Sequence, residues 1–387
     1  MLYLLLEATR DWLDRTGIYP AFRMLDQVQF RALAAAGLSF LLVILFGRRT
    51  IRWLVSMKIG DGGSTDAEAL RAHAASKANV PTMGGVLICG SIFLSTLLLA
   101  DLRRDYVYMG LLVLVWLSVL GGFDDWLKLT AARRGAGRQG LYAWEKLVFQ
   151  LGLGLLIGVF TYRAGGSGDT LAHVINLPFQ KTYTNRQGEL SEALWYLPQW
   201  AYVLLSILLI AGVSNAVNIT DGMDGLASGV SAVVSLGLLV LALIAGSEQI
   251  SKYLFVPHIV YADELAVMAG AMAGACLGFL WWNCSPAQVF MGDTGSLALG
   301  GLIAYIALVT RQELVVLLMC GVFLAEIASV VLQVGYFRYT GGRRIFRCAP
   351  YHHHLHLGGW TEQQVVARLW IVSIILGVIA LASLKIR

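Results

Sequence analysis

Asn215-Ala-Val-Asn218-Ile-Thr-Asp221-Gly-Met-Asp224-Gly225 lies between two strongly apolar segments, roughly 199–214 and 226–245. Each is long enough to cross much of a bilayer. Two carboxylates and two side-chain amides therefore stand at a membrane boundary, where ionisable groups are costly and usually functional. If the segment is helical near Asp221, the i, i+3 spacing puts Asp221 and Asp224 on one face. Glycine after each acid lets backbone come close to a ligand. A polar turn that only joins two helices has no need of so many side-chain oxygens.

Composition places the surroundings. Of 387 residues, 57% are hydrophobic and 14% charged, and the mean hydropathy is +0.68. That profile excludes a soluble globular domain and indicates an all-α polytopic membrane protein. No polar run is long enough to fold alone, so 1–387 reads as a single integral membrane domain. The formal charge of +5 is spread along the chain. It suits anionic lipid surfaces and phosphorylated substrates and gives no block dense enough for nucleic acid. The five cysteines have no CxxC spacing and read as buried small hydrophobes.

Residues 1–30 read as an amphipathic interfacial segment. Membrane spans are expected near 31–46, 82–99, 106–121, 144–164, 199–214, 226–245, 264–280, 295–310, 312–335 and 365–384, about ten transmembrane helices in all. An even number puts the loops 47–81, 122–143, 215–225, 281–294 and 336–364 on one side. Three of them hold most of the basic residues, among them Arg48, Arg49, Lys77, Lys128, Arg133, Arg343 and Arg347, which assigns that side to the cytoplasm. Segment 165–198 on the other side, with Thr182-Tyr183-Thr184, reads as a small periplasmic hairpin.

Every polar cluster then falls on the cytoplasmic face. Lys77 precedes Pro81-Thr82-Met83-Gly84-Gly85 at a span start and can meet a phosphate as a point charge. Asp124-Asp125 ends another span, with Lys128 one turn on and Lys146 at the start of the next. Adjacent acids repel, so one is expected to hold a proton unless a cation neutralises the pair. The stretch Asn283-Cys-Ser-Pro-Ala-Gln-Val-Phe290-Met-Gly-Asp293-Thr-Gly-Ser296 opens an apolar helix that Thr294 or Ser296 can cap. A helix N-terminus is an anion site, Asp293 is a hard oxygen ligand suited to Mg²⁺ with phosphates, and Phe290 can stack on a base. His352, His353 and His354 are consecutive, without zinc-site spacing, and suit hydrogen bonding to a phosphate-bearing substrate. Acids, basic groups and a proton acceptor at one membrane surface fit phosphoryl transfer from a soluble donor to a lipid acceptor.

These motifs resemble the polyprenyl-phosphate N-acetylhexosamine-1-phosphate transferases, and within them the phospho-N-acetylmuramoyl-pentapeptide-transferase branch. The resemblance rests on Pro81-Thr-Met-Gly-Gly85, Asp124-Asp125, Asn215 through Leu226, Phe290-Met-Gly-Asp-Thr-Gly-Ser-Leu297 and the His352–His354 run. It implies a Mg²⁺-dependent enzyme that uses UDP-MurNAc-pentapeptide and undecaprenyl phosphate to make lipid I and UMP. It further implies a ten-helix fold, commonly dimeric, in the bacterial cytoplasmic membrane. Carried over position by position, Asp293 resembles the metal ligand and Asp124 and Asp125 the catalytic acidic pair, with Lys77 and His353 beside them. Asn215, Asn218, Asp221, Asp224, Thr82, Lys128, Lys146, His352 and His354 match substrate-binding positions, and Asn283 and Phe290 resemble nucleoside contacts. Tyr351 and His356 depart from the branch pattern, and the loop 131–143 is longer than usual. Two alternatives stand beside this reading: a sister enzyme that uses UDP-GlcNAc or a related donor, and a secondary transporter. A transporter calls for acids at span midpoints in paired halves, whereas these acids lie at span ends.

Overall fold

The structure is a computed structural model that describes residues 1–57, 80–134, 140–166, 170–176 and 194–384. Lys77 and the Thr182–Thr184 alternation lie outside the described residues.

Helices account for nearly all of it. We number the principal ones α1 (Val28–Ser56), α2 (Gly85–Leu99), α3 (Asp105–Arg134), α4 (Ala143–Ala164), α5 (Gln199–Thr220), α6 (Leu226–Gly246), α7 (Leu265–Asn283), α8 (Gly292–Thr310), α9 (Gly321–Tyr339) and α10 (Glu362–Ser383). Among the described residues, nine of these are long and apolar enough to cross a membrane, α2 being the short exception. The protein is an all-α, multi-pass membrane protein.

Several boundaries differ from the sequence expectation. α1 continues through Arg48, Arg49 and Arg52 to Ser56, because arginine is a good helix former and a long cationic side chain can lie along the helix end. In the same way α3 runs through Asp124, Asp125 and Lys128 to Arg134, so these groups sit on a helix rather than in a loop. The span expected over 312–335 is broken at Cys320 into Glu313–Met319 and α9. Gly321 follows the break, at a point where a Cβ would lie 2.6 Å from Leu376 of α10. Residues 1–27 form three short helices and a 3₁₀ turn instead of one amphipathic helix. Leu6, Leu13 and Tyr19 make a small core of their own. In segment 165–198, expected to form a hairpin, the described residues include one antiparallel bridge between Val174 and Tyr196.

α8 is the hub. Every residue from Asp293 to Thr310 is buried, and glycines let three neighbours approach its backbone. Gly295 meets Gly85 of α2, Gly300 meets Val213 and Ser214 of α5, and Gly301 meets Leu117 of α3. α7 uses the same device against α1: Gly270, Gly274 and Gly278, four residues apart, face the carbonyls of Ala32, Ala36 and Phe40. In lipid no hydrophobic drive brings helix to helix, so close backbone approach at small residues supplies the packing.

Buried ion pairs pin the end of the bundle remote from the polar motifs. Arg31 donates to Glu264 through two nitrogens, at 2.8 and 2.6 Å, and to the Leu99 carbonyl at 3.0 Å. Glu264 also accepts from the backbone N–H of Asp101, so α1, the end of α2 and the start of α7 are tied together. Arg311, fully buried after α8, pairs with Glu313 at 2.8 Å and donates to the Val174 carbonyl.

The α1–α7 contact gives a test. Gly274→Leu should overpack it and destabilise the detergent-solubilised protein by ~1–3 kcal/mol, seen as a lowered melting temperature. Gly37→Ala, with nothing within 4 Å of the added carbon, should leave the melt unchanged.

Candidate active site

The end of α3, the start of α4, the end of α5 and the start of α8 meet at one end of the bundle. Their polar groups form one connected cluster. Lys128 and Asp124 are an i, i+4 pair on α3, and the Lys128 ammonium lies 2.7 Å from Asp124 Oδ2 and 3.1 Å from Asp293 Oδ2. Lys146, in the first turn of α4, reaches the same two oxygens at 2.9 and 2.7 Å. Asn218, in the last turn of α5, donates to Asp293 Oδ1 at 2.8 Å and to Ser296 Oγ at 2.9 Å. Five expected site residues are thereby brought together: Asp124, Lys128, Lys146, Asn218 and Asp293.

The adjacent acids of α3 have separate tasks. Asp124 accepts from both ammoniums and from the backbone N–H of Leu141 at 2.6 Å. Asp125 turns the other way, into the start of α8. Its Oδ1 accepts from Asp293 N (3.1 Å), and its Oδ2 from Thr294 N (3.0 Å) and Thr294 Oγ1 (2.7 Å). The cap of α8 is therefore supplied by another helix, not by Thr294 or Ser296; Ser296 instead bonds back to the Gly292 carbonyl. The N–H groups expected to bind an anion are already taken by the protein's own carboxylates, since Gly292 N donates to Asp221. Gly292 has φ +74°, and a Cβ there would lie 2.7 Å from Asp125 and 3.0 Å from Thr82 Oγ1, so a side chain would be both strained and crowded.

The Pro81–Gly85 and Phe290–Gly295 motifs are stitched together. Phe290 N donates to the Pro81 carbonyl, Gly84 N to the Phe290 carbonyl and Gly85 N to the Met291 carbonyl, each at 2.8 Å. The half-buried ring of Phe290 follows this rail.

Asp221 and Asp224 do not share a helix face. α5 ends at Thr220, Asp221 caps it, and Gly225 takes φ +79° before α6. Asp221 therefore turns to Gly292, while Asp224 accepts from Ala287 N at 3.1 Å. The Asp221 carboxyl is pushed up to about 7. Burial is the largest cause, the Gly292 N–H pulls it back, and the negative charges of Asp293, Asp125 and Asp224 add to the rise. Asn283, expected to touch a nucleoside, has its groups engaged within the protein. Its oxygen accepts from Gly225 N and Ser228 Oγ, and its amide donates to the Val289 carbonyl. Asn215 lies one turn deeper than Asn218 and donates to Gln150 Oε1 at 2.8 Å.

The histidine run forms the short helix Tyr351–Leu357. His352 is buried against Glu326 of α9. His354 accepts from Arg347 N and stacks on Tyr351, and His356 pairs with the Trp360 carbonyl. The two positions that depart from the branch pattern, Tyr351 and His356, thus serve local packing. Gln150 and Glu326 were not among the expected site residues. A lone polar or acidic group inside an apolar span was the available signal.

The sequence pattern of the family described as Glycosyl transferase family 4 matches residues 107–311, more than half the chain. Three relatives carry the name phospho-N-acetylmuramoyl-pentapeptide-transferase. One from Desulfotalea psychrophila is 42% identical over 369 residues, covering 95% of this chain and 97% of that protein. One from Syntrophus aciditrophicus is 41% identical with the same coverage. One from Chloroherpeton thalassium is 40% identical over the whole of both chains. The chain belongs to the phospho-N-acetylmuramoyl-pentapeptide-transferase family. Its match to Glycosyl transferase family 4 runs from α3 to Arg311 and so includes Asp124, Asp125, Asn218 and Asp293, though not the histidine run.

The split between the acids is testable. Asp125→Asn replaces an acceptor oxygen that faces helix N–H groups, and hydrogen bonds to a charged partner contribute about 1.5–3 kcal/mol. It should lower the melting temperature clearly, and more than Asp124→Asn does, in parallel melts of purified protein.

Proposed function

We propose that the chain transfers phospho-MurNAc-pentapeptide from UDP-MurNAc-pentapeptide to undecaprenyl phosphate, giving lipid I and UMP, as one membrane-embedded domain whose polar end faces the cytoplasm. The observation that carries this reading is the convergence of Lys128, Lys146, Asp124, Asp293 and Asn218 at one end of an apolar bundle. Full-length similarity to transferases of that name points to the same reaction.

The donor set suits a divalent cation completed by substrate. Among the described residues no three acids, histidines or cysteines are grouped to cage an ion. Asp293 and Asp124 instead present hard oxygens side by side, already bridged by cationic groups. That matches Mg²⁺, which binds through one or two carboxylates together with phosphates. Asp293 would hold the ion, which when bound neutralises phosphate charge.

The chain's own groups do the rest. Lys128 and Lys146 bind and orient the donor's diphosphate. Asn218 holds Asp293 in place. Asp124 takes the proton of the lipid phosphate, because two of its three donors are lysines that can turn to phosphate, whereas all three donors to Asp125 belong to the start of α8. The freed phosphate oxygen attacks the β-phosphorus of the donor; the bond from that phosphorus to the bridging oxygen breaks and UMP departs. Phosphoryl transfer needs little beyond such positioning and charge stabilisation. A phosphorylated enzyme trapped with donor alone would overturn this one-step order in favour of an aspartyl-phosphate route. By the resemblance of their motifs His353 and Lys77 join the residues assigned to substrate, and Asn283 and Asp224 act by shaping the loop that receives the nucleoside. The same reading extends to a homodimer, checked by the mass of the detergent-solubilised assembly.

The deciding measurement is UMP release by purified protein with undecaprenyl phosphate, offering UDP-MurNAc-pentapeptide and UDP-GlcNAc separately, with and without Mg²⁺. Turnover is expected only with the pentapeptide donor and Mg²⁺, and Asp293→Asn and Asp124→Asn should each reduce it by about 100-fold or more. Turnover confined to UDP-GlcNAc would replace the donor and keep the site. Turnover undiminished by EDTA would remove the metal.

A further inference from the structure

Glu326 lies on the apolar helix α9, within two turns of the break at Cys320. It is the only acid on that helix. Its carboxylate is 1% exposed, and its Oε2 accepts from two groups of one residue: His352 N at 3.2 Å and His352 Nδ1 at 3.0 Å. Oε1 makes no hydrogen bond among the described residues. Replacing Glu326 and His352 together by apolar side chains of similar size would be neutral or stabilising at such a place, so stability does not account for an acid here.

His352 passes the constraint on. With Nδ1 on Glu326, its Nε2 lies on the far edge of the ring, fully buried and without a hydrogen-bond partner among the described residues. That edge abuts Gly222, where an added Cβ would stand 2.5 Å from Nε2 and 2.9 Å from Cε1. Gly222 is in the turn between Asp221, bonded to the start of α8, and Asp224, bonded to Ala287. The neighbouring ring of His353 sits edge-on to His352 at 4.2 Å.

We propose that Glu326 is a positioning residue: by fixing the plane and tautomer of His352 it seats the Asp221–Gly225 turn against the histidine helix and so aligns that turn and His353 for the donor substrate. His352 then acts beneath the substrate rather than on it. The proposal rests on the transferase reading for its kinetic consequence, and on geometry alone for the contact.

The test uses the full-length purified protein, with Glu326→Leu, Glu326→Gln, Gly222→Ala, His352→Asn and the double variant Glu326→Leu/His352→Asn. Glu326→Leu leaves two buried N–H groups of His352 without an acceptor and should lower the melting temperature, while kcat of the folded protein falls about 10- to 100-fold, the scale of loss when the orienting partner of a functional histidine is removed. KM for undecaprenyl phosphate should stay unchanged. Glu326→Gln, which keeps an acceptor oxygen for the ring N–H, should recover much of kcat. Gly222→Ala, which presses on Nε2 from the other side, should reproduce the loss. The double variant should be no worse than His352→Asn alone, because Glu326 acts through His352.

A second readout needs no turnover. Cys284 is exposed, with its Cα 3.7 Å from a Cβ placed on Gly225. In a Cys348→Ser background, its maleimide labelling rate should change several-fold in Glu326→Leu and Gly222→Ala and return in Glu326→Gln. Wild-type kcat and labelling in both Glu326→Leu and Gly222→Ala would overturn the proposal, as would fully additive losses in the double variant. Should Glu326→Leu fail to fold, normal kcat and labelling in Gly222→Ala would overturn it. A wild-type protein that releases no UMP would instead refute the reaction, and the labelling rates would still decide the contact.

Discussion

Asp125 and the first turn of α8 hold each other in a place that neither could occupy alone. A carboxylate so deeply buried is costly unless its lone pairs are filled, and the N-terminal N–H groups of a buried helix are costly unless they find acceptors. Three hydrogen bonds between them satisfy both demands. The consequence reaches the site directly. Asp293 is one of the residues whose N–H is capped, so its side chain is aimed by the same contact that settles the helix. The close approach of Gly121 to the Asp293 carbonyl and of Gly85 to Gly295 removes any slack around that turn.

The opposite end of the bundle obeys the same rule with a different outcome. Arg31–Glu264 and Arg311–Glu313 are also buried charges, yet each pair is closed on itself and on backbone carbonyls. Their partners come from helix ends and connecting turns, so they fasten the bundle where chain segments meet. At the site end the charges are shared unevenly, with two ammoniums spread over the same two carboxylate oxygens. At one end each charge has its own partner, and at the other two ammoniums share two carboxylates.

Much of this was legible in the sequence because it depended on local pattern. Apolar runs marked the helices, and the motifs marked which residues would meet, since five loops on one face have few places to put their polar groups. Lys146, the least regular of the expected positions, proves to touch both central acids. What local pattern could not supply was partnership at a distance. Nothing in Asp124-Asp125 says that one acid serves a helix 168 residues on. Nothing in Asn283 says that its amide will be consumed by Gly225, Ser228 and Val289. The i, i+3 reading of Asp221 and Asp224 failed for a local reason: α5 stops at Thr220, and a left-handed glycine at 225 redirects the chain before α6 begins.

The two ammoniums of Lys128 and Lys146 balance the carboxylates of Asp124 and Asp293, and that balance constrains how the group can be used. Lys128 and Lys146 can serve a phosphate only by loosening their hold on Asp124 and Asp293, and a buried acid stripped of its counter-charge is strongly unfavourable. A phosphate entering alone therefore gains little, because each contact it makes with an ammonium exposes a carboxylate. A cation entering alone meets the converse obstacle, since two ammoniums already occupy the oxygens it needs. Under the proposed function the exchange is neutral only when anion and cation arrive together, the lysines turning to the phosphate, Asp293 to the incoming cation and Asp124 to the proton it receives. Lys128, with its side chain 43% exposed against 18% for Lys146, has the more room to turn. Lys146, the less exposed of the two, bridges the same acids at 2.9 and 2.7 Å.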